Sequence, residues 1–288
     1  MSSFSDELLT LHGRTFRALR GGEGPLVLFL HGFAVTADMW RPNLAAFIEA
    51  GYSALAVDLP GHGDSFRPAR PYRVADLAGA VNDLLVGLEV EQVSVIGNSL
   101  GGAVASELAL AYPDKVKKLA LSDAFGFDPD LPVFRRARYW TDLLLPSAHL
   151  IFFGPTEWNM RRIQRMLYYC PDRLPPRTFV VRYSGGWLHN HWGRALVGGG
   201  VLWEMLTSAR RRAFAQRRAA LRAPILLLWG EDDQLLPVAH AHHAHALIPG
   251  ARLRLFPQCG HAPNIEYAEA FNREVLEFFA EQNVKRKT

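Results

Sequence analysis

Short runs of apolar residues recur along the first 125 positions and predict strands that are buried on both faces of a sheet. The runs are GPLVLFLHG (24–32), the start of SALAVDLPGHGDS (53–65), QVSVIG (92–97) and VKKLALSDA (116–124). Between them, apolar residues return every three to four positions, which is typical of amphipathic helices, over 36–52, 74–90 and 100–112. A looser alternation over 11–20 predicts an edge strand.

The same alternation resumes near the end of the chain. APILLLWG (223–230) and ARLRLFP (251–257) predict two further strands, and 237–247 and 264–282 predict helices. Strands that alternate with helices predict an α/β fold with a mostly parallel sheet and helices on both faces. In such a sheet, functional side chains collect in the loops beyond the carboxyl ends of the strands.

The alternation stops between the two regions. The intervening segment has helical periodicity around RRARYWTDLLL and WNMRRIQRMLYY, and it holds five of the seven tryptophans. We interpret residues 126–220 as a helical cap or lid inserted into a core made of 1–125 and 221–288. The glycines of YSGG (183–186) and VGGG (197–200) are candidate hinges.

The distribution of charged residues along the chain also supports a core and an inserted module. Residues 125–220 carry 15 lysines and arginines against 6 acidic residues, whereas the remainder carries 17 against 22. A basic lid would attract anionic substrates or an acidic membrane face, although a solvated arginine-rich surface explains it equally simply.

Composition narrows the class of protein. With 49% hydrophobic and 21% charged residues, the chain is typical of a globular enzyme acting on a small molecule, and nothing favours a nucleic-acid partner. No apolar stretch reaches the length of a membrane span, and the first residues do not resemble a secretory signal. Two cysteines make no disulfide framework, so we expect a cytoplasmic protein. The oligomeric state stays open, a homodimer included.

Gly97-Asn98-Ser99-Leu100-Gly101 places a serine between a predicted strand and a predicted helix. In this context, Gly-x-Ser-x-Gly is typical of a nucleophile held on a sharp turn with its hydroxyl exposed. A serine hydroxyl is a poor nucleophile at neutral pH, so it requires a histidine base and a carboxylate that orients the base. We therefore predict Ser99 as the nucleophile.

The base and the acid are found after later strands. His261 lies on the loop that follows strand 251–257, and Gly230-Glu231-Asp232-Asp233 follows strand 223–230. The chain order serine, acid, histidine is the one expected for a nucleophile turn of this kind. Four other histidines lie between 240 and 245, where a surface helix explains them better than a metal site does. A catalytic serine of this type needs neither a metal nor a cofactor.

The loop after strand 24–32 supplies the candidate anion site. A tetrahedral intermediate requires two hydrogen-bond donors, and we predict the backbone N–H groups of Leu100 and of Phe33, in His31-Gly32-Phe33, as the oxyanion hole.

These motifs together resemble the α/β-hydrolase fold superfamily, in its lid-bearing serine hydrolase branch. The matching segments, within about 20–125 and 220–282, are HGF, DLPGHGDS, GNSLGG, WGEDDQLLP and GHAPNIE. The resemblance implies an eight-stranded sheet and identifies Asp233 as the acid, with Asp232 and Asp123 as alternatives.

Departures from the family patterns indicate the branch. Ser99 replaces the aspartate nucleophile of the epoxide hydrolases and haloalkane dehalogenases, which argues against both. The loop HGFAVTADMW lacks the Ser-Gly-Pro-Gly of meta-cleavage C–C hydrolases, although GNS resembles theirs. The serine haloperoxidase-like esterases are a further close branch.

The sequence thus predicts a carboxylic ester hydrolase that acts through an acyl-enzyme. The alternatives are a C–C hydrolase of the meta-cleavage type and a binding protein that retains the triad. For an apolar or aromatic substrate, the candidate pocket residues are Trp140, Trp158, Trp187, His189 and Trp192, although aromatic residues of this kind equally fill the core of a small domain.

Overall fold

The computed structural model describes residues 4–127, 157–173, 190–205 and 207–281, and these include eight strands in one sheet. The strands are β1 (Ser5–Leu11), β2 (Arg14–Gly21), β3 (Leu26–Leu30), β4 (Ser53–Val57), β5 (Val93–Asn98), β6 (Val116–Ser122), β7 (Ile225–Gly230) and β8 (Arg252–Phe256). Their spatial order is β1-β2-β4-β3-β5-β6-β7-β8. Pairs from β4 to β8 are parallel, and β2 pairs antiparallel with both β1 and β4. The predicted α/β fold with an eight-stranded, mostly parallel sheet is confirmed.

Helices cover both faces of the sheet. They are α1 (Arg41–Glu49), α2 (Val74–Gly87), α3 (Leu100–Ala111), α4 (Glu157–Leu167), α5 (His191–Met205), α6 (Ser208–Gln216), α7 (Ala239–Leu247), α8 (Pro263–Glu266) and α9 (Ala268–Ala280). Alternate strand residues face opposite cores, because side chains along a strand point to the two faces in turn. Leu28, Leu55 and Val95 pack with α2, α3 and α7. Phe29, Ala54 and Ile96 pack with α1 and α9.

The edge strand β1 was missed by sequence analysis, which placed a single edge strand at 11–20. The structure has a hairpin whose two turn residues, His12 and Gly13, both have positive φ, 50° and 74°. Such φ values at both central positions match the right-handed twist of paired strands. Most β1 side chains are exposed or half-buried, so its sequence shows no apolar run that would identify it.

Two predicted helices differ from the observed ones. The segment predicted as a helix over 36–52 is a 3₁₀ turn (Ala37–Trp40) followed by α1. The last predicted helix is divided at Tyr267, whose φ of −128° lies outside the helical region. In both cases the apolar spacing continues across the irregularity, since both parts pack on the same face of the sheet.

The described part of the insertion between β6 and β7 consists of helices and short turns. The candidate hinge at 197–200 lies inside α5, where Gly198 packs against the Phe33 ring and Gly200 against the Tyr72 carbonyl. These glycines therefore allow the helix to approach the core closely. The candidate hinge at 183–186 lies outside the described residues, and the boundaries of the lid stay a prediction. None of the described helices combines the length and the apolar character that a membrane span requires.

Gly101 and Gly79 form a matched pair of helical glycines for a test of packing. A Cβ on Gly101 would collide with the Leu30 carbonyl of β3, whereas a Cβ on Gly79 would meet nothing within 4 Å. We expect Gly101→Ala to lower the free energy of unfolding by about 1–3 kcal/mol through overpacking. Gly79→Ala should raise it by up to about 1 kcal/mol, because alanine is the better helix former. Urea denaturation measures both, and equal effects would contradict the close packing of α3 on β3.

Candidate active site

Ser99 lies at a strained turn between β5 and α3. Its φ and ψ are 53° and −116°, a combination that costs a non-glycine residue about 1–3 kcal/mol. Main-chain hydrogen bonds hold the turn: Ser99 N–H donates to the Ser122 carbonyl at 3.0 Å, and the Ser99 carbonyl accepts from Phe125 N–H at 3.0 Å. Ser99 itself is half-buried, whereas Asn98 and Leu100 on either side of it are buried.

The glycines that flank Ser99 are required by close approaches of the backbone. A Cβ on Gly97 would collide with the Gly101 carbonyl, and a Cβ on Gly101 would collide with the Leu30 carbonyl. The turn can therefore be this tight only with glycine on either side of it.

His261 and Asp233 form a buried pair at the ends of neighbouring strands. The His261 Nδ1 to Asp233 Oδ2 distance is 2.6 Å, and the two residues are only 5% and 4% exposed. The other carboxylate oxygen, Asp233 Oδ1, accepts from the N–H groups of Leu235 and Leu236 at 2.8 and 3.0 Å. These donors fix the orientation of the carboxylate, which in turn fixes Nδ1 of the imidazole as the protonated nitrogen.

The two alternative acids are placed differently. Asp232 is exposed and its N–H donates to the Cys259 carbonyl, so its main chain ties the loop after β7 to the loop after β8. Asp123 is fully buried, and one of its carboxylate oxygens lies within 4.8 Å of ligand atoms on both Asp233 and His261. Burial and the neighbouring Asp233 carboxylate raise the pKa of Asp123 well above its usual range.

The loop predicted to supply one oxyanion donor lies against the candidate nucleophile. A Cβ placed on Gly32 would be 3.3 Å from Ser99 Cβ, so residues 31–33 pass directly beside Ser99. Leu100 is the first residue of α3, and the N–H of a first helical residue has no partner within the helix. Both predicted donors are thus on segments next to Ser99, although the assignment of the hole itself stays a prediction.

His31 holds this loop from inside the protein. It is fully buried, and its Nε2 accepts from Leu59 N–H at 2.8 Å while its Nδ1 donates to the Gly32 carbonyl at 2.7 Å. The imidazole is therefore neutral, and burial lowers its pKa to about 4. His62, also buried, stacks edge-on against both His31 and Phe33 at centroid distances of 5.0 and 5.6 Å.

A buried carboxylate joins the same loop to the loop after β4. Asp58 Oδ1 accepts from Ala37 N–H at 2.7 Å, and Asp58 Oδ2 lies 3.4 Å from Arg17 Nη1. Arg17 also pairs with Asp38 at 2.8 Å. Burial raises the pKa of Asp58 to about 6 against the opposing effect of Arg17. Burial is the larger effect because water is excluded from the Asp58 carboxylate.

Asn98 was not explained by the sequence, and the structure gives it a positioning contact. Its side chain is 3% exposed, and its Nδ2 donates to the main-chain carbonyls of His261 at 3.1 Å and Ser122 at 3.4 Å. Asn98 therefore links the residue before the candidate nucleophile to the candidate base. Only the direct neighbourhood of Asn98 and Ser99 in the sequence could have suggested this.

The insertion also contacts the histidine loop, which sequence reasoning missed. His261 N–H donates to the Leu167 carbonyl at the end of α4, with a separation of 2.6 Å. Glu266 joins the same two segments, because its Oε1 accepts from Gly260 N–H at 2.7 Å and its Oε2 accepts from Tyr169 N–H at 2.9 Å. The main chain on both sides of the candidate base is therefore tied to the insertion.

The predicted pocket residues are only partly described. Trp158 on α4 and Trp192 on α5 are 53% and 63% exposed, and the Trp158 ring carries Arg162 over its face. Trp140, Trp187 and His189 lie outside the described residues. The assignment of these five residues to a substrate pocket stays a prediction.

Together, the sheet, the strained serine turn and the buried acid–histidine pair define a hydrolase with an α/β fold. A family model described as alpha/beta hydrolase fold matches residues 25–268, so the chain belongs to this family. The parallel strands, the turn at Ser99 and the loop that carries His261 all lie within the matched region.

Several individual proteins are similar to this chain. An uncharacterized Mycobacterium tuberculosis protein is 32% identical over 277 residues, covering 88% of this chain and 75% of its own. The 2-hydroxy-6-oxo-6-phenylhexa-2,4-dienoate hydrolase of Burkholderia cepacia is 28% identical over 271 residues, 90% and 89% of the two chains. An esterase from Exiguobacterium antarcticum superposes with a TM-score of 0.71 at 20% identity over 98% of this chain and 100% of that one, which shows the shared fold.

Removing the Asn98 amide should weaken the link to the histidine loop. We expect Asn98→Ala to lower the free energy of unfolding by about 1–3 kcal/mol, because two buried carbonyls lose a donor. Asn82→Ala is the matched control, since the buried Asn82 Oδ1 has no hydrogen-bond partner and alanine favours helix α2. Urea denaturation of both variants tests this, and an equal loss in the control would contradict a specific role for Asn98.

His31 should make stability depend on pH. The folded protein keeps His31 neutral down to about pH 4, whereas the unfolded chain takes up the proton below about pH 6.5. The unfolded state binds more protons in this window, so acidification destabilises the protein by about 1.4 kcal/mol per pH unit.

His31→Gln lacks this proton, so its stability relative to the wild type should rise as the pH falls through the same window. Denaturation curves at several pH values give the difference, and His242→Gln, at an exposed position, is the control. If the stability difference between wild type and His31→Gln is independent of pH, His31 is not held neutral.

Proposed function

We propose that this hydrolase cleaves carboxylic esters of small apolar or aromatic substrates through an acyl-enzyme. The observation that carries the proposal is the buried 2.6 Å pair of His261 Nδ1 and Asp233 Oδ2. The main-chain carbonyl of this histidine accepts from Asn98, the residue before a serine at positive φ. This arrangement is the one that a weak hydroxyl nucleophile requires.

In the proposed reaction, Ser99 Oγ attacks the substrate carbonyl and His261 Nε2 takes the hydroxyl proton. Asp233 stabilises the resulting imidazolium, because its carboxylate already accepts Nδ1–H. The N–H groups of Phe33 and Leu100 receive the negative oxygen of the tetrahedral intermediate. His261 returns the proton to the departing alcohol, and then activates the water that hydrolyses the acyl-enzyme.

A second candidate is hydrolysis of a C–C bond. It is favoured by the Burkholderia cepacia relative, which is named for the hydrolysis of a 2-hydroxy-6-oxo dienoate and matches 90% of this chain. Against it stands the loop HGFAVTADMW, which lacks the Ser-Gly-Pro-Gly sequence of that class. Both reactions can use the same serine, histidine and aspartate, so the substrate panel decides between them.

The direct test measures steady-state turnover of p-nitrophenyl esters of graded chain length. We expect a short or aromatic ester to turn over, and Ser99→Ala to reduce kcat by about 10⁴-fold or more. Ser106→Ala is the matched control, because the buried Ser106 hydroxyl donates only to the Gly102 carbonyl, 2.8 Å away in the same helix. An organophosphonate that labels active serines should modify Ser99 in the wild type and in the control.

The outcomes separate the alternatives. Turnover of 2-hydroxy-6-oxo-6-phenylhexa-2,4-dienoate without turnover of any ester would favour C–C hydrolysis. Ligand binding without turnover of either class, and without labelling of Ser99, would overturn the proposed function in favour of a binding protein.

A further inference from the structure

A second carboxyl group, that of Asp123, lies beside the His261–Asp233 pair and is not used by the proposed reaction. It follows β6 at a φ of 43°, and it is completely buried. Its Oδ1 accepts from Gly230 N–H at 3.0 Å, and the Ser122 hydroxyl lies 2.9 Å from its Oδ2. Both contacts fix the Asp123 carboxyl in one orientation at the end of the sheet.

An oxygen of the Asp123 carboxyl group and an oxygen of the Asp233 carboxyl group lie within 4.8 Å of each other, and both residues are buried. Asp233 receives three donors, two backbone N–H groups and His261 Nδ1–H, which is the environment of an ionised carboxylate. Two ionised carboxylates at this separation would repel strongly in a buried site, so one of the two groups retains a proton. Asp123 has fewer donors than Asp233, and it is therefore the group that keeps it.

The titratable groups that face Asp123 are compatible with a proton on its carboxyl group. The Asp233 carboxyl group, on the loop after β7, raises the pKa of Asp123, because a second negative charge beside it is unfavourable. On the loop after β8, burial and the nearby carboxyl groups raise the pKa of the Cys259 thiol, so Cys259 is neutral. His261, on the same loop, directs its Nδ1–H to Asp233.

We propose that Asp123 is a positioning residue that remains protonated at neutral pH and donates its proton to Asp233. The pair then carries a single negative charge, which Asp233 presents to His261. This inference rests on the triad of the proposed function. The additional donor holds the Asp233 carboxylate in the plane that His261 requires, and it limits how strongly that carboxylate raises the basicity of the imidazole.

The location of the proton can be tested without any substrate. The unfolded chain loses the Asp123 proton near pH 4, as ordinary carboxyl groups do, while the folded protein keeps it. The unfolding constant of the wild type, divided by that of Asp123→Asn, should therefore rise about tenfold per pH unit from about pH 5 to pH 7. Asp114→Asn, at an exposed position, is the control and should show no such trend. A flat ratio for Asp123→Asn would overturn the proposal.

The positioning role is tested by kinetics on an ester that the protein turns over. Asp123→Leu has a similar shape but no donor, and we expect kcat to fall about tenfold with little change in KM. Asp123→Asn should rescue most of this loss, since its amide can donate to Asp233.

The acid limb of the kcat/KM profile separates positioning from a purely structural role. It should move to higher pH in Asp123→Leu, because Asp233 without its donor stabilises the imidazolium more strongly. It should stay in place in Asp123→Asn. If the acid limb instead moves about one pH unit lower in Asp123→Asn, the Asp123 carboxyl group is ionised in the wild type, which would overturn the proposal.

The two proposals fail differently. If Ser99→Ala retains turnover, the proposed function is wrong, whereas the pH dependence of the unfolding ratio still reports the Asp123 proton. If Asp123→Leu does not fold, the Asp123→Asn measurements alone decide.

Discussion

The positive φ of Ser99 is the constraint on which the rest of the site depends. A serine in this conformation is retained only if the surrounding structure enforces it, and here the enforcing contacts come from three directions. The Ser122 carbonyl holds Ser99 from β6, Phe125 holds it from the following loop, and α3 begins directly after it. Because Gly97 and Gly101 allow α3 to press against β3, the strain is balanced by the burial of an entire helix face.

Three polar side chains near this turn provide hydrogen-bond partners for main-chain groups of the neighbouring loops. His31, Asn98 and Glu266 each use their side chains to hold main-chain N–H or carbonyl groups of neighbouring loops. A buried polar group without such a partner would cost about 1–3 kcal/mol, so each of these residues is restricted in type as well as in position. These hydrogen bonds connect the loops at the carboxyl ends of the strands to one another. The position of the candidate site is therefore determined by the sheet more than by any single loop.

The sequence was sufficient to predict the strands that are buried on both faces of the sheet. Nearly continuous apolar runs predicted β3 to β7, since strands buried on both faces need them, and Ser99 was predicted as a residue that follows such a strand. The exposed strand β1 escaped because pairing with β2, and not an apolar pattern, defines it. The hydrogen bonds from Asn98 to His261 and from His261 to Leu167 escaped because they join residues more than 90 positions apart and concern main-chain groups, which every residue type has.

The carboxyl groups of Asp123 and Asp233 show most clearly why the rest of the candidate site could not be predicted without the structure. Asp123 and Asp233 both follow core strands, and from the residues alone either could orient the histidine. Their environments separate them: Asp233 accepts from two backbone N–H groups and from His261 Nδ1–H, whereas Asp123 accepts from one backbone N–H group and from the Ser122 hydroxyl. Burial beside the Asp233 carboxyl group raises the pKa of Asp123, so the fold gives two identical side chains different environments. The difference between the two carboxyl groups arises from the hydrogen-bond donors that the fold places around each of them. No short sequence motif predicts it.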